Sequence, residues 1–197
     1  MSDFPEIYVI RHGQTEWNVA QRHQGQLDSP LTEKGRKQAR LMGGMLQRQN
    51  LDLSKVKFFS SPLGRARNTA DIALSGFDVA LREDDRLSEI GFGQWEGKTQ
   101  GEIDLGWPEL SKLADEDPIV WNFQSPEGES LTDLERRVDA FLAELTGPAV
   151  LFTHGILSRV MRARWLGLNP YEMLELPGGQ GVIFHLSQTL GHVILEK

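Results

Sequence analysis

The chain has 197 residues, is 39% hydrophobic and 25% charged, contains no cysteine and carries a formal net charge of −7. That composition suits one globular domain over residues 1–197 with a sizeable core. It excludes disulfides, thiolate nucleophiles and cysteine-zinc sites, and its acidic balance argues against nucleic acid or an anionic membrane as partner, because both reward a basic surface.

The opening Met1-Ser2-Asp3-Phe4-Pro5-Glu6 has neither the basic nor the apolar region of a signal peptide, and no apolar run is long enough to span a bilayer, so the expected compartment is the cytoplasm. Ile7-Tyr8-Val9-Ile10 predicts a short strand that stops at Arg11-His12-Gly13. Residues 32–49 predict a helix with Thr32 as N-cap and Ala39, Met42, Met45 and Leu46 on its apolar face. A second strand is expected at Val56-Lys57-Phe58-Phe59, a helix at 63–74 and a third strand at Val79-Ala80-Leu81. The glycine- and proline-rich stretch 86–130 is the least regular, with short helices expected near 99–104 and 107–114; it reads as loops over a site or as a packed excursion.

The clearest helical spacing is Leu131, Leu134, Val138, Phe141, Leu142 and Leu145, predicting a helix over 131–145. Thr132 with Glu135 has capping-box spacing, and Ser130 with Asp133 nearly does. Ala149–Thr153 predicts an apolar strand ending at His154-Gly155, followed by a helix at 156–165 and by two strands, 181–187 and 192–196, turning at Leu190-Gly191. Alternating strands and helices predict an α/β three-layer sandwich, a mostly parallel sheet covered on both faces. The strand-like C-terminus leaves a monomer or an edge-strand homodimer as the expected states.

Two of these strands share a design: each runs apolar, then delivers a histidine and a glycine. Ligands of open α/β sheets sit outside the carboxyl ends of the strands, which puts His12 and His154 where a ligand binds. Each following glycine, Gly13 or Gly155, lets the backbone turn and approach that ligand, and the amides of the helix after His154 favour an anion. Arg65, following Ser60-Ser61-Pro62, comes to the same rim. Two histidines and two arginines suit a dianionic phosphoryl group, since guanidinium forks match phosphate oxygens and neutral imidazole is a competent nucleophile near pH 7. Arginines beside both histidines disfavour a metal there.

The segment Val9-Ile10-Arg11-His12-Gly13-Gln14-Thr15-Glu16-Trp17-Asn18 resembles the signature of the histidine phosphatase superfamily, also called the phosphoglycerate mutase-like family. The resemblance continues in family order through Gln24-Gly25, Asp28–Gly35, Ser60–Ala66, Leu87–Gly93, Trp95-Glu96-Gly97, Gly128-Glu129-Ser130 and Thr153-His154-Gly155. It implies that His12 accepts the phosphoryl group, that Arg11, Arg65 and His154 hold its oxygens, that Asn18 adds a polar contact, that Gln24, Gly25 and Gly155 line the pocket, and that Glu89 exchanges protons with the leaving alcohol and the attacking water. It implies a phosphorylated small molecule as substrate and neither metal nor cofactor. Read from the residues alone, Glu83, Asp84, Asp85, Glu89 and Glu96 are not distinguished, and Glu96 competes with Glu89 for the acid role. That role needs a carboxyl that holds a proton near the working pH, which burial or a neighbouring phosphate favours. Arg67, His23 and His185 read as structural or surface residues.

The family holds mutases and phosphatases. Residues 98–125 carry only Lys98 and Lys112 as basic residues. The mutases of this resemblance carry a basic insertion after the acidic motif and tend to have Glu-Ser where this chain has Gln14-Thr15. The phosphatase branch is therefore expected, with a cofactor-dependent mutase or a noncatalytic phosphate-binding module as alternatives. Trp95, Trp107, Trp121 and Phe123 are candidate walls for a nonpolar leaving group or members of the core.

Overall fold

The computed structural model describes residues 4–117 and 121–196. The N-terminal Met1-Ser2-Asp3 and Pro118 of the irregular stretch lie outside the described residues. Six strands, β1 (Ile7–Arg11), β2 (Lys57–Ser60), β3 (Leu81–Glu83), β4 (Ala149–Thr153), β5 (Ile183–Ser187) and β6 (Gly191–Leu195), form one sheet in the order β3-β2-β4-β1-β5-β6. The pairs β2·β3, β2·β4 and β1·β4 are parallel, and β5 is antiparallel to both neighbours, so β5 alone runs against the other strands. The helices are α1 (Glu16–Val19), α2 (Glu33–Arg48), α3 (Gly64–Ala73), α4 (Gln100–Gly106), α5 (Pro108–Glu116), α6 (Leu131–Glu144), α7 (Gly155–Leu166) and α8 (Pro170–Glu175), with 3-10 turns at Asp85–Leu87 and Gly93–Trp95.

The period of two along β1 assigns the faces. Ile7 and Val9 join Leu134, Val138, Phe141, Leu157, Met161 and Trp95 in one core, whereas Tyr8 and Ile10 join Met42, Met45, Leu46, Ala70 and Phe58 in the other. Helices α2 and α3 thus cover one face, and α6, α7 and the described residues of the excursion, among them Leu87, Ile90, Trp95, Ile103 and Trp121, cover the opposite one, giving the expected three layers. No helix among the described residues is long and apolar enough to cross a membrane.

Three local expectations need correction. The third strand lies at Leu81–Glu83 rather than 79–81, because its parallel register sets Phe58 opposite Leu81 and Ser60 opposite Glu83. Helix α6 is capped by Ser130, whose hydroxyl accepts from the Asp133 amide at 3.1 Å; Thr132 is already inside the helix, so the Thr132–Glu135 box is not used. Trp95 and Trp121 are core residues with ring centroids 4.4 Å apart, and Trp107 and Phe123 pack against the same cluster, so these four aromatic residues anchor the excursion and do not wall the cavity described below.

Candidate active site

The sheet order brings three strand ends together. β4 lies between β1 and β2, with Arg11 in register with Thr153 and Ser60 with Phe152. The ladder runs one residue further on each side, as the His12 amide donates to Thr153 O at 2.9 Å and the Ser61 amide to Phe152 O at 2.9 Å. His12, Ser61 and His154 therefore leave the sheet side by side. The His12 and His154 ring centroids are 5.2 Å apart, and His154 Nε2 lies 2.8 Å from Ser61 Oγ.

Outside these ends is a cavity of about 270 Å3. Its inner wall holds Arg11, His12, Arg65, Glu89 and Gly155; Asn18, Gln24 and Gly25 line one side. His154 is not in the lining. It is fully buried behind His12, its Nδ1 has no hydrogen-bond partner, and Gly155 forms the wall at that point.

His12 is 2% exposed, and its Nδ1 is 2.8 Å from Gly13 O. A carbonyl can only accept, so Nδ1 carries the proton and Nε2 keeps its lone pair. Burial, then Arg11 and Arg65, push the His12 imidazole well below its ordinary value, which keeps it neutral and nucleophilic at neutral pH. His154 is lowered likewise, by burial and then by Arg65, His12 and Arg11.

The two arginines differ in how they are held. Arg65 is locked: its guanidinium donates to Gly25 O at 2.6 Å, Leu27 O at 2.6 Å and Asp28 Oδ1 at 3.1 Å, while its Nε is buried without a partner. Arg11 has no ion pair among the described residues, and its Nε is also buried and unpartnered. Buried polar nitrogens without partners are uncommon in folded proteins, and Arg11 Nε, Arg65 Nε and His154 Nδ1 are all of this kind.

The two glycines serve close approach rather than a turn through positive φ. A Cβ on Gly13 would stand 2.4 Å from the Gly35 carbonyl at the start of α2, and one on Gly155 would stand 3.2 Å from the Arg11 guanidinium carbon. Gly13 also donates to Thr69 Oγ1 at 3.0 Å, which pins the His12 loop to α3.

Glu89 is 8% exposed and occupies the N-terminus of α7. Its oxygens accept from the amides of Gly155 at 2.9 Å, Ile156 at 3.2 Å, Leu157 at 3.0 Å and Ile90 at 3.1 Å. The anion at that helix terminus is thus the protein's own carboxylate, which corrects the expectation that these amides, Gly155's included, are available to substrate. The competitor Glu96 does not reach the cavity; its Oε1 accepts from the Gln26 and Phe92 amides and braces two loops. Arg137 of α6, which carries no sequence signal, holds the Glu89 segment by donating to the carbonyls of Arg86 and Ser88 at 2.7 Å and of Glu89 at 3.1 Å, while its Nε pairs with Glu129 at 2.7 Å.

The far wall was largely unread in the sequence. His23 lines the cavity edge-on to Phe92, ring centroids 5.1 Å apart, and so is not a surface residue. Arg22, Arg159, Arg162 and Phe184 line it as well, with the glycine-rich segment at Gly178 and Gly179. Gln180 ties that segment to the site through His12 O at 3.2 Å and Asn18 Oδ1 at 3.0 Å. Arg67 pairs with Asp71 and Glu83 on the surface, and His185 packs on Tyr8 and bonds Glu6 at 2.5 Å, both as expected.

The histidine phosphatase superfamily (branch 1) family model matches residues 7–196. The chain belongs to that superfamily. It is 34% identical over 210 residues to phosphoserine phosphatase 1 of Hydrogenobacter thermophilus, covering 97% of each chain. It is 36% identical over 171 residues to a Yersinia pestis protein named as a probable phosphoglycerate mutase, covering 83% of this chain and 75% of that one. Among solved structures, YhfR of Bacillus stearothermophilus superposes with a TM-score of 0.80 at 28% identity, covering 98% of this chain and 96% of that one. A mycobacterial glucosyl-3-phosphoglycerate phosphatase in complex with VO3 superposes with a TM-score of 0.79 at 31% identity, covering 98% of each. The fold, the family and the phosphomonoesterase class expected from the sequence are therefore those of the protein.

Proposed function

We propose that the chain hydrolyses a small phosphomonoester through a phosphohistidine formed on His12. The observation that carries this is the His12 tautomer: Nδ1–H is tied to Gly13 O, and Nε2 is the free lone pair of a buried, neutral ring beside two arginines with unpartnered Nε donors. Phosphoryl transfer asks mainly for positioning and charge stabilisation, which this arrangement supplies from the chain's own cations.

In the first step Nε2 of His12 attacks phosphorus, the ester P–O bond breaks, and the leaving oxygen takes a proton from Glu89. In the second, water attacks the phosphohistidine, the P–N bond breaks, and Glu89 takes the proton from water as inorganic phosphate forms. Arg11 and Arg65 hold the phosphoryl oxygens, Asn18 and Gln24 border them, and His154, which does not line the cavity, supports His12 from the neighbouring strand end. Gln24 Oε1, buried without a partner, is an acceptor for a substrate hydroxyl.

The phosphatase reading is favoured over the mutase by the stretch after the acidic motif. Lys98 lies over the Trp107 ring and Lys112 pairs with Glu109 on the surface, so neither reaches the cavity. The relatives act, by their names, on phosphoserine, phosphoglycerate and glucosyl-3-phosphoglycerate, which makes three-carbon phosphoesters the first panel to test. The decisive assay is p-nitrophenyl phosphate turnover in EDTA by wild type and His12→Ala, followed by 3-phosphoglycerate with and without 2,3-bisphosphoglycerate. Turnover that persists in EDTA, disappears in His12→Ala and outpaces isomerisation is expected; isomerisation faster than phosphate release would make the chain a mutase.

A further inference from the structure

The cavity does not end at the phosphoryl site. It continues along α7, lined there by Ser158, Arg159 and Arg162. Helical spacing of three and four residues puts 155, 158, 159 and 162 on one face, with Arg159 about 6 Å and Arg162 about 10 Å along the axis from Gly155.

Arg162 is held in place but not neutralised. The Arg162 side chain is 1% exposed, and its guanidinium carbon stacks 3.8 Å over the Phe184 ring. Its Nε donates to Ser158 O at 3.1 Å and its Nη1 lies 3.4 Å from His192 Nε2. Among the described residues neither Arg162 nor Arg159 has a carboxylate partner. Ser158 is also 1% exposed, and its Oγ has no hydrogen-bond partner. Burial and the charge of Arg159 lower the Arg162 guanidinium to about 9, so it stays protonated at neutral pH.

The other cations of the cavity are accounted for. Arg22 pairs with Glu102 and Arg65 with Asp28. Glu89, the one carboxylate in the lining among the described residues, is occupied by four backbone amides. A phosphoryl dianion on His12 is met by Arg11 and Arg65, which leaves Arg159 and Arg162 without a counter-charge. For the buried Arg162, an uncompensated charge is costly unless something binds it, and the half-buried Arg159 stands beside it.

We propose that Ser158, Arg159 and Arg162 form a second anion subsite, and that the substrate is a small phosphomonoester bearing a second anionic group, a carboxylate or another phosphate, about one to two helical turns from the transferred phosphoryl. This rests on the phosphomonoesterase reading of the His12 site. A cavity of about 270 Å3 limits the substrate to a compact molecule.

The test compares three substrates of equal carbon length: 3-phosphoglycerate, propane-1,3-diol bisphosphate and glycerol 3-phosphate, whose second end is neutral. One anionic member is expected to exceed glycerol 3-phosphate in kcat/KM by roughly 10–100-fold, mostly through KM, as for hydrogen bonds to charged groups. Which one does so identifies the second group. The preference is expected to fall about tenfold in Arg159→Gln and in Arg162→Gln, and Arg162→Lys is expected to restore part of it. The same ratios are read as Kd by calorimetry on His12→Ala, where no chemistry intervenes. Equal kcat/KM and Kd for all three compounds, or a preference unchanged in both glutamine variants, overturns the subsite. An intact Kd preference with no turnover by wild type leaves the subsite standing and removes the phosphatase reading.

Discussion

The two walls of the cavity are built by different means. The inner wall grows from the strand ends: Arg11 and His12 close β1 and Gly155 follows β4, with Arg65 and Glu89 beside them, and the ends of β1, β2 and β4 are flush through paired backbone register. The far wall grows from loops and from the side of α7, and its members, Arg22, His23, Phe92, Arg159, Arg162 and Gly178, come from distant parts of the chain. In the proposed mechanism the strand-end wall holds what every phosphomonoester shares, and the assembled wall meets what differs between them. This division assigns chemistry to the strand ends and selectivity to the loops and α7.

Substitutions can break that division. The largest effect is expected at His12: His12→Ala should lower kcat by roughly 10⁴–10⁶-fold, as for loss of a nucleophile, on every substrate alike, read by steady-state assay. Glu89→Gln keeps the shape but not the proton, and should cost roughly 10²–10⁴-fold. With p-nitrophenyl phosphate, whose leaving group needs little protonation, stopped-flow should then show one rapid equivalent of nitrophenol followed by a stall. Loss of the burst would mean that no phosphoenzyme accumulates in this variant and would count against the account. Arg65→Lys should cost about 10²–10³-fold in kcat, by analogy with removing one oxyanion donor, and circular dichroism separates that loss from misfolding, because Arg65 also ties Gly25 and Leu27.

The pH profile sharpens the same account. His12 is lowered by burial and by Arg11 and Arg65, so its neutral, reactive form persists as the pH falls through 6.5 and is lost only well below it. After correction for substrate ionisation, kcat/KM should be retained at pH 6.5; a fall centred there would contradict the assigned environment. The smallest effect is far from the site. Ser130→Ala should cost α6 about 1 kcal/mol by denaturant titration, whereas Thr132→Ala should be nearly neutral.

How much of this was legible in the sequence follows the same line. The strand ends were legible because each is a local pattern: an apolar run, a histidine and a glycine within a few residues. The three layers followed from alternating strand and helix periods. Glu89 was visible only through family resemblance, because several acidic residues lie near it and what singles it out is a contact with α7, 66 residues away in sequence at Gly155. His23 and Glu96 were misread or unresolved for a related reason. His23 reaches the cavity because residues 22–27 are stitched to 96–98, with its own amide donating to Lys98 O and its carbonyl accepting from Gly97, and that stitching is non-local. Arg159 and Arg162 sit at ordinary helical positions, and only the absence of a counter-charge in the folded cavity marks them.

The central claim is that phosphorus becomes bonded to His12. The direct measurement is to mix Glu89→Gln with 32P-labelled p-nitrophenyl phosphate, quench in alkali and map the label by mass spectrometry. The account predicts one acid-labile phosphate per chain, on His12, absent from the Glu89→Gln/His12→Ala double variant. Label on another residue, or turnover by wild type with no trapped phosphoenzyme in Glu89→Gln, would contradict it.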